Sequence, residues 1–175
     1  MKSEFFLMEL NFNDDNMKLS KAYTYTKEGL TMTTCRIVLA SHGKLAAGML
    51  NTVQMLLGQL DNITAYCLMP EEDVNAFAKK LEEEVKTYGA ENILFMTELI
   101  HGSPFNSVVG LTREYDIHHI SGTNLAMLME VVLARNEDGI TLDQLCERAI
   151  AVAPQSYVDV RKLLQASEDE EDEDE

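Results

Sequence analysis

From Arg36 onward, short apolar runs alternate with stretches of helical spacing, and this rhythm limits the chain more than any other feature of its sequence. "RIVLAS" is a continuous apolar run of the kind a strand shows when it is buried on both faces. Leu45, Ala46, Met49, Leu50, Val53, Leu56 and Leu57 then recur at helical spacing, and Gly58 stands where such a helix would close. "NITAYCLM" reads as a second strand and "PEEDVNAFAKKLEEEVKTYG" as a second helix, with Pro70, Glu71, Glu72 and Asp73 at its N-terminal end. "NILFMT" is a third strand. The loop "ELIHG" leads to a short helix near "SPFNSVVGL", where Ser103 is expected to cap and Pro104 to occupy the first turn. "IHHIS" is a fourth strand, followed through "GTN" by the helical "LAMLMEVVLAR", and Thr141 opens a further helix in "TLDQLCERAIAVA".

Repeated strand–helix units imply an α/β, three-layer fold: a mostly parallel sheet with helices on both faces, since parallel strands need crossovers. The last ordered segment, "SYVDVRKLL", alternates Val158 and Val160 against Tyr157, Asp159 and Arg161, which suggests an antiparallel edge strand. Residues 1–35 show no sustained periodicity and read as an N-terminal extension without an assigned element. Met17 and Met32 are further possible starts. The globular domain is expected over 36–166 and an acidic tail over 167–175.

Charge sharpens this division. Residues 168–175, "EDEEDEDE", hold 8 of the chain's 30 acidic residues and no base, so half of the net charge of −16 belongs to them. Such a run repels itself and is expected to be disordered and solubilising. The rest is only mildly acidic and has no basic stripe with interleaved aromatics, which argues against nucleic acid as a partner. No apolar run is long enough to span a bilayer, and "MKSEFFLMELNF" lacks the features of a signal peptide, so a cytoplasmic location is expected. Cys35, Cys67 and Cys146 are odd in number and widely spaced, as expected of reduced thiols rather than a disulfide or zinc framework.

In sheets of this kind ligands sit beyond the carboxyl ends of the strands. His42 stands there, after the first strand, with Gly43 allowing close backbone approach. The third strand ends at the same edge. Glu98 is placed to hold one imidazole nitrogen and leave the other as a nucleophile. Ser103, with the free N–H groups of Ser103, Phe105 and Asn106, is suited to an anion at a helix N-terminus. Nucleophilic imidazole, orienting carboxylate and oxyanion cradle together describe a phosphoryl acceptor. His118 and His119 are adjacent on a strand, point to opposite faces and so read as packing residues. No nucleotide-binding glycine motif and no metal cluster is present, so no cofactor is expected.

"IVLASHGKLAAGML", "LLGQLDNITA", "HGSPFN" and "GTNLAMLMEVVLAR", in that order, resemble the enzyme IIA component of the mannose family of the bacterial phosphoenolpyruvate-dependent sugar phosphotransferase system. The resemblance runs from about Arg36 to Leu164. It implies that His42 takes a phosphoryl group from the histidine-containing phosphocarrier protein and passes it to enzyme IIB, which serves the membrane subunits IIC and IID. It also implies that Glu98 stands where the family usually has Asp, and that Ser103 is its helix-start Ser. His101 departs from the pattern, since Gly is usual there; it reads either as a tolerated loop residue or as a modulator of the phosphoryl group. Family members are homodimers that exchange the final antiparallel strand, and "SYVDVRKLL" is similar to it. Two other readings stay open: a phosphocarrier domain of a dihydroxyacetone kinase system, and a regulatory module of the same fold that transfers nothing. The sugar is not legible, because this component does not contact it.

Overall fold

The computed structural model describes residues 5–13, 16–26, 29–32 and 35–165. Strands β4 (Arg36–His42), β5 (Ile63–Leu68), β6 (Ile93–Thr97) and β7 (His118–Ser121) form an all-parallel sheet in the order β5-β4-β6-β7. Before it, β1 (Phe5–Asn13), β2 (Asn16–Thr26) and β3 (Gly29–Met32) make a separate antiparallel sheet. Phe5 pairs with Tyr25 and Tyr23 with Met32, and the register shifts between Glu9 and Leu10. The stretch read as having no assigned element therefore carries three strands, in keeping with the strand preference of its Thr, Tyr and Phe residues.

Both faces of the parallel sheet are covered. Helices α1 (Leu45–Leu57), α4 (Leu125–Ala134) and α5 (Leu142–Val152) pack on the face bearing Ile37, Leu39, Leu94 and Met96. Helices α2 (Val74–Tyr88) and α3 (Ser103–Leu111) pack on the face bearing Val38, Ala40, Phe95 and Ile93. Residues 37–40 and 93–96 are sealed on both sides, which is why their sequence is a continuous apolar run rather than an alternating one. The three-layer α/β reading holds.

Local details differ from the sequence reading. Helix α1 runs from Leu45 to Leu57 and closes at Gly58 as its spacing suggests. Helix α2 starts at Val74, four residues later than Pro70 implies. Asp73 is the residue whose side chain accepts the Ala76 N–H, at 2.9 Å, and Glu72 belongs to a preceding turn closed on the Met69 carbonyl. Ser103 does not cap α3. Gly102 holds the cap position without a side-chain bond, and Ser103 is already helical. Thr141 does open α5, in a reciprocal capping box with Gln144.

The antiparallel strand expected at 156–164 is not present among the described residues. Residues 160–165 form a helical turn, because the Asp159 carboxylate accepts the Arg161 and Lys162 N–H groups and its carbonyl accepts that of Leu163. Asp is a strong helix initiator. The acidic run 168–175 lies outside the described residues, and among those described no helix is long and apolar enough to cross a membrane.

Candidate active site

Strand β4 delivers His42 to the carboxyl edge of the sheet between two neighbours, β5 and β6. The chain turns at once: Gly43 has a φ of +52°, and its N–H donates to the Leu68 carbonyl at 2.8 Å. Ser41, buried behind the turn, accepts the Ala46 N–H at 2.7 Å and so starts α1. The His42 side chain is 47% exposed.

Glu98 immediately follows β6. Its Oε1 accepts the main-chain N–H of His42 at 2.8 Å and faces the ring Nδ1 of the same residue at 2.5 Å. A carboxylate at that distance keeps the proton on Nδ1. Nε2, the other nitrogen, then carries the lone pair. The Glu98 side chain is only 14% exposed, and its second oxygen, Oε2, is buried with no protein partner. The longer carboxylate thus reaches His42 as the sequence reading requires.

The loop after Glu98 brings α3 against the imidazole. A Cβ placed on Gly102 would stand 2.8 Å from His42 Cε1, so glycine is what lets the helix N-terminus approach the ring. Ser103 follows at the first helical position, Pro104 has no N–H to offer, and the Asn106 N–H is already bonded to the Gly102 carbonyl at 2.9 Å. The free donors of the first turn are therefore those of Ser103 and Phe105, one fewer than the sequence reading assigned. His101 has a φ of +64°, left-handed backbone that favours glycine, and its exposed ring meets the edge of Phe105 at 5.7 Å.

The sequence reading missed what supports this loop from beneath. Phe105 rests on the ring of His119, with centroids 5.1 Å apart, and His119 Nε2 lies 2.9 Å from Thr97 Oγ1, just before Glu98. Burial pushes the His119 pKa down to about 4, so that ring is neutral at physiological pH. His118 turns to the other face and meets Asp143 Oδ1 at 3.1 Å, as strand alternation requires. The period of two was the available signal; which α3 side chain would land on His119 depends on tertiary packing.

The three cysteines are free thiols, and burial drives Cys35 up to about 12 and Cys146 up to about 11. Among the described residues, no group of three His, Cys, Asp or Glu side chains is arranged to hold a metal ion.

The chain is similar to known proteins over most of its length. The EIIA-man family model, described as "PTS system fructose IIA component", matches residues 36–150. The sorbose-specific EIIA component of the phosphotransferase system of Klebsiella pneumoniae is 34% identical over 122 residues, 69% of this chain and 88% of that protein. The mannose-specific EIIAB component of Escherichia coli K12 is 31% identical over 67% of this chain, which spans 36% of that longer protein. Among solved structures, EIIA from Streptococcus agalactiae superposes with a TM-score of 0.68 at 29% identity, covering 73% of this chain and 98% of that one. The chain belongs to the mannose family of enzyme IIA components of the sugar phosphotransferase system.

Proposed function

We propose that His42 is the phosphoryl acceptor and that the phosphoryl group is carried on Nε2. The observation that carries this reading is the grip of Glu98 Oε1 on both the N–H and the Nδ1 of His42, which leaves Nε2 as the one nucleophilic ring nitrogen. In the reaction the Nε2 lone pair attacks phosphorus as the P–N bond to the donor's imidazole breaks. The donor's ring leaves neutral, and His42 becomes a phosphoimidazolium that keeps its Nδ1 proton. The Glu98 carboxylate balances the positive charge gained by the ring. The Ser103 hydroxyl and the free N–H groups of the α3 N-terminus stabilise the phosphoryl oxygens, which carry the spread charge of the transition state. The half-exposed ring suits a reaction in which a partner's histidine must reach the same phosphorus.

The donor is the histidine-containing phosphocarrier protein and the acceptor is enzyme IIB, which feeds the membrane subunits IIC and IID. The carrier domain comprises residues 36–166, follows an extension of residues 1–35, and acts as a homodimer in the cytoplasm. His101 tunes the lifetime of the phosphoryl group. On this reading, His101→Gly alters the hydrolysis rate of the phosphorylated protein between pH 6 and 8; an unchanged rate assigns His101 to the loop alone.

Incubation with phosphoenolpyruvate, enzyme I and the phosphocarrier tests the main reading. Acid-labile phosphate should label the wild type and be absent from His42→Ala. An unlabelled wild type leaves a regulatory module, and equal labelling of the variant defeats the assignment of His42. Transfer to a dihydroxyacetone kinase subunit in preference to enzyme IIB would assign the chain to that system.

A further inference from the structure

Glu98 does its proposed work through Oε1, while its other oxygen is buried without a protein donor. A buried carboxylate oxygen without a hydrogen bond is disfavoured, and such atoms are the usual sites of ordered internal water. Among the described residues, Thr123 Oγ1 is another buried oxygen with no protein partner. The backbone brings the two residues to one corner of the sheet. Thr123 N–H donates to the carbonyl of Thr97 at 3.0 Å, and Thr97 is bonded directly to Glu98. Gly122, with a φ of +81°, turns the chain at that point, so Thr123 leaves the line of β7 and begins the approach to α4.

We propose that Thr123 is a positioning residue for the transfer: its hydroxyl and Glu98 Oε2 share a buried water that fixes the carboxylate with Oε1 turned to His42. The proposal rests on the phosphoryl-carrier reading for its purpose, though its structural content does not. Thr123 touches neither the phosphoryl group nor the reacting nitrogen. Its effect passes through the orientation of Glu98 and then through the tautomer of His42. A carboxylate free to rotate about its terminal bond samples planes in which neither oxygen is aimed at the N–H and Nδ1 of His42.

Ser121 supplies an internal control. It too has a buried, unpartnered hydroxyl, but it is the register partner of Thr97 and shares the sheet face of Thr97 and His119, whereas Glu98 is the next residue along.

The test compares Thr123→Val, Thr123→Ser and Ser121→Ala in the full chain. Ring 15N NMR of His42 in the unphosphorylated protein reads the tautomer directly and needs no partner protein. Thr123→Val is expected to lower the Nδ1–H share and to slow acceptance from the phosphocarrier by about three- to tenfold, as small misplacements of a catalytic group do. Thr123→Ser should keep both properties, and Ser121→Ala should match the wild type. Wild-type ring shifts in folded Thr123→Val overturn the proposal, as does the same change in Ser121→Ala. If Val does not fold, Thr123→Ala is read in its place by the same criteria. A wild type that takes no phosphate would sink the carrier reading while leaving the tautomer measurement to judge Thr123.

Discussion

Gly102 shows how narrowly the site is built at the scale of one residue. Its backbone, at φ −71° and ψ 164°, is open to any amino acid, so only the 2.8 Å approach to His42 Cε1 calls for glycine. Gly102→Ala should therefore cost the fold no more than about 1 kcal/mol. It should nevertheless slow phosphoryl acceptance by about tenfold or more, because the new methyl group moves the ring off Glu98. Chemical denaturation beside a single-turnover transfer assay separates the two effects. His119 makes a different prediction. Burial holds its folded pKa at about 4, below the unfolded value of about 6.5, so the unfolded chain binds the extra proton between those values. Its contribution to stability is complete above about pH 6.5 and is lost as the pH falls toward 4, by about 2–3 kcal/mol in total. Urea midpoints from pH 7 to 4.5 should show this fall in the wild type and a smaller one in His119→Val.

Among the elements, the end of the sheet opposite the site is stapled by one cluster. Arg36 on β4 pairs with Glu84 on α2 through Nε and Nη2, donates to Thr64 Oγ1 on β5 at 2.7 Å, and lies 3.9 Å over the ring of Tyr88. Tyr66 donates to the same carboxylate at 2.6 Å. Burial works against the Glu84 charge, yet the hydrogen bonds from Arg36 and Tyr66 outweigh it and hold the carboxyl below its ordinary range. Removing Arg36 alone leaves that charge nearly buried and unpaired, so Arg36→Ala should cost about 3 kcal/mol. The double variant Arg36→Met with Glu84→Leu should cost less than the single one, as measured by thermal or urea unfolding.

Legibility in the sequence also divides at this scale. Where one signal acts alone it was readable: Leu57 then Gly58 ends α1, and Thr141 with Gln144 starts α5. Where two compete it was not. Pro70 and Asp73 are both helix-start residues, and only the turn at Met69–Glu72 decides for the second. Val158 and Val160 alternate as a strand would, while Asp159 between them initiates a helical turn. At the site, His42 and Glu98 follow from topology, since both end parallel strands that proved to be neighbours. The close approach of Gly102 to the His42 ring and the stack of Phe105 on His119 join distant segments, and no local pattern encodes them.

For the whole molecule, the segment after α5 carries a concentration of exposed apolar side chains: Tyr157, Val158, Val160 and Leu163 are each more than half exposed. The proposed homodimer gives them a place to be buried. Sedimentation should find a dimer for the full chain and a monomer for Val160→Glu with Leu163→Glu. With a net charge of −16 on each copy, added salt should tighten the association rather than loosen it.

The tie between Glu98 and Nδ1 leaves His42 one free ring nitrogen, and on the proposed carrier reading both the giver and the receiver of phosphate must use it. The two partners cannot be served together. A carrier of that kind works as a turnstile: if the reading holds, steady-state kinetics should be ping-pong, with parallel double-reciprocal lines, and an excess of unphosphorylated acceptor should slow the pathway by occupying the surface that the donor needs.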